Sequence, residues 1–214
     1  MKFGKPAKHK EIGMAIKSLV KISVTIFSIL FSTLFTLNTA QAHWSLDNEA
    51  SELSFVTVKA EHVAEVHTFE MLSGTIGDSG DVEITIELAS VNTMIPIRNE
   101  RMQAMLFETN LFPVATVTGN VDIEALAALE AGTIKTMQVQ LELSLHGSSS
   151  SLTTDLMVVR TGHGLVASTL KPVIVTAESA GLVAGVEALR EVAGLPSISR
   201  AVPVSFTVVF EQGH

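Results

Sequence analysis

The chain has 214 residues, with 14 Lys and Arg against 22 Asp and Glu, a formal net charge of −8 and no cysteine. The missing thiol excludes disulfides, thiol redox chemistry, thiolate metal sites and haem attached through cysteine. The acidic balance argues against nucleic acid and anionic lipid surfaces as partners.

The first segment has the makeup of an export signal. Lys2, Lys5, Lys8, Lys10, Lys17 and Lys21 make a basic start, and Ile22–Leu37 carries no charge. Ala40-Gln41-Ala42 then supplies the small-x-small pattern of a signal-peptidase site. The apolar run of 16 residues is short for a transmembrane helix. We expect residues 1–42 to be a cleaved signal peptide and residues 43–214 to be one mature domain. Without its leader, which holds six of the basic residues and one of the acidic ones, the chain has a formal net charge of −13. The 172 residues that remain can supply an ordinary core without disulfides.

Strand signals dominate the mature chain. Trp44–Asp47 and Leu53–Lys59 are short alternating runs, and Thr68–Ile76 is another, closed by the turn Gly77-Asp78-Ser79-Gly80. Val82–Leu88 alternates cleanly, with Glu83, Thr85 and Glu87 on the polar face, and its run extends to Thr93. Asn99–Phe107 reads as a short helix, Ala115–Val121 as a strand, and Ile123–Glu130 as a second helix stopped at Gly132. Thr136–Leu145, Leu152–Arg160, Leu165–Thr169 and Val173–Ala177 follow as strands, with Ser148–Ser151 as a polar hairpin loop. Ala180–Ala193 is the strongest helix: Ser179 is placed to cap it, Leu182, Val186, Leu189 and Val192 form one stripe, and Gly194 ends it. Val202–Phe210 closes the chain with alternate apolar residues. Many strands with one apolar face, and few short helices, predict an all-β fold. We expect an antiparallel β-barrel of about eight strands with one to three short helices, with a two-sheet sandwich as the structural rival.

Chemistry gathers after the Val82–Leu88 strand. Asn92 and Thr93 form a polar turn, followed by Arg98, Arg101, Met102 and Met105. This reads as the rim of an apolar cavity. Arg98 and Arg101 suit a phosphate, carbonyl or quinone oxygen, or else an ion pair with acids such as Glu100 or Glu108. Asn92 and Thr93 suit either a head group or the turn itself.

The order and spacing of several pieces resemble the YceI-like family of periplasmic lipid-binding, or polyisoprenoid-binding, proteins. They are Trp44-Ser-Leu46-Asp47, Ser51-Glu-Leu53-Ser-Phe55, Leu72-Ser73-Gly74, Ser90-Val-Asn92-Thr93, Arg98-Asn99-Glu-Arg101-Met102, Phe112-Pro113 and Leu143-Ser-Leu145-His146-Gly147. The ending, Ala193-Gly-Leu-Pro196 with Val202-Pro-Val-Ser-Phe206, resembles one branch of the family. Asn99 stands where the family usually has Asp, and Ala64-Glu65-Val66-His67 where it has a Gly-rich segment. The resemblance implies a lipocalin-like barrel in the periplasm that binds or carries a long apolar ligand: an isoprenoid, a quinone tail or a fatty-acyl compound. The inward set is then Phe55, Phe69, Ile84, Ile86, Leu88, Leu141, Leu143, Val204, Phe206 and Val208, with Met102 and Met105 in the lumen and Asn92, Thr93, Arg98 and Arg101 at the rim. Transient contact with a membrane or membrane protein, and a homodimer, are compatible with that role.

No enzyme is expected. There is no Gly-x-Ser-x-Gly elbow and no nominated pair of acids. Neither a cofactor nor a metal is expected. The alternative is a copper-binding oxidase or metal chaperone: cleavage after Ala42 makes His43 the amino terminus, able to chelate copper with another histidine. His62, His67, His146 and His163 are available, but no His-x-His or His-Glu-x-x-His pair exists.

Overall fold

Trp44–Lys59 is a single 16-residue strand, β1, rather than two short ones. The intervening residues form a bulge, where the register with the last strand shifts between Asp47 and Glu52. Asp47 builds it: its Oδ1 accepts from the amides of Glu49 and Ala50, and its carbonyl accepts from Ser51 Oγ. These data come from a computed structural model that describes Met1 and residues 44–213. The expected signal peptide and His43 therefore lie outside the described residues.

The chain continues through β2 (Val63–Phe69), β3 (Leu72–Ile76), β4 (Asp81–Glu87) and a short β5 (Val91–Asn92). The run Thr68–Ile76 is broken at Glu70 and Met71. There Asn48, from the β1 bulge, donates to the Glu70 carbonyl at 3.1 Å and accepts from the Leu72 amide at 2.6 Å. Helix α1 (Pro96–Arg101) starts three residues before the predicted Asn99, because Pro96 fits the first helical turn. It runs on as a π-helical turn, Met102–Leu106, in which the Phe107 amide reaches the Met102 carbonyl at 2.9 Å. Strand β6 (Val114–Asn120), helix α2 (Ile123–Ala127, capped by Asp122), and strands β7 (Ile134–Leu145) and β8 (Ser148–Arg160) follow.

The serine run is thus strand, not loop. The hairpin turn is His146-Gly147, with φ of 51° and 74°, the left-handed pair that a two-residue turn demands. Strands β9 (Gly164–Thr169) and β10 (Val173–Thr176) lead to helix α3 (Val183–Val192) and strand β11 (Ala201–Gln212). Ser179 does not cap α3. Its hydroxyl bonds the Thr176 carbonyl, and Gly181 at φ +68° turns the chain before the helix begins.

Eight strands close an antiparallel barrel in the order β1-β3-β4-β6-β7-β8-β9-β11, with β11 pairing back to β1. Three strands lie outside this ring. β1 and β11 continue past the barrel, where β2 pairs with β1, β10 with β11, and β5 with β2. The interior divides into two clusters. One end is solid, with Trp44, Ile76, Leu156, Leu165, Val208 and Phe210 packed over Ile123 and Leu126 of α2. The other holds Phe55, Ile86, Leu88, Met102, Leu106, Phe107 and Leu143 under α3. Gly185 allows α3 to press on the π turn, since a Cβ there would lie 2.8 Å from both Leu106 Cα and the Met105 carbonyl. Gly185 therefore serves close packing.

Candidate functional site

A cavity of about 440 Å³ occupies the second end, between the splayed extension of β1, β2, β10 and β11 and the helices α1 and α3. Its floor is Leu141, Leu143, Leu145 and Leu152, and its walls include Ile86, Val117, Val202, Val204 and Phe206. Phe55 and Phe69 stack with ring centres 5.3 Å apart, and Phe69 meets Phe107 at 5.7 Å. From α3 and its exit come Leu182, Val186, Leu189 and Leu195. Alternate residues of β1 (Leu53, Phe55, Thr57, Lys59) and β2 (Phe69, His67, Glu65) run along this wall, so polarity rises toward one end. At roughly 3.3 Å per residue, the Leu53–Lys59 stripe is about 20 Å long.

Of the residues nominated from sequence, Phe55, Phe69, Ile86, Leu88, Arg98, Arg101, Met102, Leu141, Leu143, Val204 and Phe206 line the cavity. Five do not. Ile84 and Val208 point inward but pack in the solid end. Alternation identifies a face of a strand; it carries no information about depth along the barrel. Met105 is displaced by Leu106, because the π turn rotates the helix beyond its usual period. Asn92 and Thr93 are built into the support. Asn92 donates to Glu70 and accepts from the Met94 amide. Thr93, 3% exposed, gives both its amide and its hydroxyl to Asn99 Oδ1, at 2.9 and 2.6 Å. The side-chain amide of Asn99 thereby supplies the acceptor oxygen that fixes the turn.

Seven polar lining residues escaped the sequence reading: Thr176, Ser199 and Arg200, and on β1 and β2 the group Thr57, Lys59, Glu65 and His67. Glu65 Oε2 lies 2.7 Å from both Lys59 Nζ and Arg98 Nη1. Arg98 Nη2 donates to the Thr93 carbonyl at 2.6 Å. Arg98 thus pairs with an acid 33 residues away, not with Glu100 or Glu108. The hydrogen bond from Lys59, with Arg98 alongside, holds the Glu65 carboxyl below the usual carboxylate range, against an opposing effect of burial. His67 is 3% exposed; its Nε2 meets Thr57 Oγ1 at 2.9 Å and its Nδ1 has no partner. The available signal was the continuation of the inward alternation past Phe55 and Phe69, at the place where the Gly-rich segment is replaced.

His67 is not a surface histidine. Burial, and then the Arg98 charge, push its pKa down. The unfolded chain then binds the proton more readily, so stability is complete above the ordinary value of about 6.5 and falls as pH drops from there through the folded pKa. We expect urea unfolding midpoints to decline across that window in the native protein and to decline less in His67→Gln. Equal slopes would show that His67 is not the group concerned. His62 sits in the turn before β2 with a side chain 90% exposed, so the two histidines do not converge. Among the described residues no three His, Asp or Glu side chains form a metal cluster. No described helix is long and apolar enough to cross a membrane.

A closed antiparallel barrel with an apolar cavity and a polar fringe defines a lipocalin-like binding protein. The chain belongs to the YceI-like family, whose YceI-like domain matches residues 44–210. It is similar to the solved polyisoprenoid binding domain from Saccharophagus degradans implicated in plant cell wall breakdown: 41% identity, TM-score 0.78, covering 81% of this chain and 99% of that one. BcnA of Burkholderia cenocepacia shares the fold at 18% identity and TM-score 0.60, covering 77% of this chain and 98% of its own. No curated protein matches the chain.

Proposed function

We propose that the protein is a non-enzymatic periplasmic carrier or reservoir for a long apolar molecule: an isoprenoid, a quinone tail or a fatty-acyl compound. The single observation that carries this is the cavity of about 440 Å³, whose deep lining is leucine, valine and phenylalanine. That volume falls within the roughly 300–1,000 Å³ of small-molecule sites. Burying a saturated chain contributes about 0.8 kcal/mol per methylene, against about 1 kcal/mol for one rim hydrogen bond. Affinity therefore comes from the tube. The 41% identical relative, a polyisoprenoid binding domain, supports the reading.

Export through a cleaved leader at residues 1–42 would place the barrel where such lipids need transport. The acidic exterior keeps the loaded protein soluble. Met102, Leu106 and Phe107 are buried, so transient docking at a membrane would use the exposed Ile95, Ile97 and Val192 beside the cavity. Native mass spectrometry of protein exported with its own leader, followed by organic extraction, should yield a bound long-chain compound. The delipidated protein should rebind it. Failure to bind any isoprenoid, quinone or fatty-acyl compound would refute the carrier role.

A further inference from the structure

We infer that the carried molecule has an anionic head, a phosphate ester or carboxylate, held among Lys59, Arg98 and Arg101; this rests on the carrier reading above. Residues 43–214 contain eight Lys and Arg and 21 Asp and Glu. Four of the eight cations line the cavity (Lys59, Arg98, Arg101 and Arg200), against one of the acids, Glu65. In a domain this acidic, the wall of this apolar cavity has the opposite sign from the rest of the chain.

Arg200 is answered from outside the cavity by Glu187 at 2.9 Å and Glu178 at 3.4 Å. The other three are not balanced. Lys59 and Arg98 share the single carboxylate of Glu65, and Arg101 has no ion pair among the described residues. Three cations and one carboxylate leave a formal excess of two positive charges at the edge of an apolar space, where water screens poorly and a counter-ion gains most. Attraction to the C-terminal end of α1 accounts for arginines at 98 and 101. It does not account for Lys59, which reaches the same space from β1.

The pieces are also held in place. Arg98 and Arg101 are three residues apart on α1, and so share one face. Arg98 is fixed by Thr93 and Glu65 and keeps a buried Nε without a partner. His67, nearly sealed from solvent, lies further in with Nδ1 unpartnered. A tail lying along Phe55 and Phe69 would bring an oxyanion head to these groups. Charge-assisted hydrogen bonds are roughly twice as strong as neutral ones, enough to discriminate heads on a common tail.

The test titrates the purified, delipidated protein with geranylgeranyl phosphate, geranylgeraniol and palmitate at low and high salt. We expect the phosphate to bind at least about tenfold more tightly than the alcohol at low salt, the two converging as salt rises. Arg101→Gln and Lys59→Gln, each checked for native melting, should remove most of that preference, weakening phosphate binding by a much larger factor than alcohol binding. Palmitate binding with the same sensitivity to salt and to Arg101→Gln also supports the inference and identifies carboxylate as an accepted head. Equal affinity for phosphate and alcohol, or a preference that neither substitution alters, overturns it while the carrier function stands. Binding of none of the three overturns both.

Discussion

Val204→Trp is expected to lower affinity for a long-chain ligand by about a hundredfold or more, with the melting temperature unchanged or raised. Val204 lies opposite Phe55 of β1 and Val173 of β10, and its side chain lines the cavity. An indole there occupies the space a chain would take. Excluding about four methylenes forfeits roughly 3 kcal/mol, or about two orders of magnitude in Kd. Overpacking a tight core costs about 1–3 kcal/mol, but here the added volume enters an existing void. Binding titration and thermal unfolding of the same preparation check both halves. Undiminished affinity in a folded Val204→Trp protein would place the ligand somewhere other than this cavity.

Trp44→Ala should do the reverse, destabilising the fold by about 3–5 kcal/mol while leaving the cavity's lining in place. Trp44 is 2% exposed and belongs to the solid end of the barrel, with the Arg160 guanidinium 5.2 Å from its ring centre. It also stands at the first rung joining β1 to β3 and to β11, opposite Ile76 and Gln212. Its loss opens a void where two strand seams meet. Denaturant unfolding should show a lower midpoint with an unchanged slope, and the folded fraction should bind ligand with native affinity. A loss below about 1 kcal/mol would mean that this end relaxes around the gap and is not the rigid base of the fold.

The contrast between the two substitutions shows where sequence reasoning stops. Val204 and Val208 lie on the same face of β11, and alternation treats them alike. One lines the cavity and the other is packed among Trp44, Leu165 and Phe210. Ile86 and Ile84 divide in the same way on β4. What separates each pair is position along the barrel axis, set by strand register and by α2 closing one end. Met105 fails for a local reason, since a π turn cannot be read from a helical period. Glu65 and His67 were visible as departures from the family pattern, yet their partners, Arg98 and Thr57, are supplied by other elements.

By itself the amino-acid sequence determined the class of fold, the inward faces of β1, β2, β4, β7 and β11, the stop of α3 at Gly194 and the family. The first three follow from period-two burial and local turn chemistry, which act between near neighbours; the family follows from the order and spacing of the motifs it shares. The tertiary structure decided which end of the barrel is filled and which is hollow, that β1 is continuous through its bulge, and that Lys59, Glu65 and Arg98 meet in the cavity that Arg101 also lines. Those outcomes depend on barrel closure and on contacts between residues dozens of positions apart, and no local pattern encodes the depth at which a side chain comes to rest.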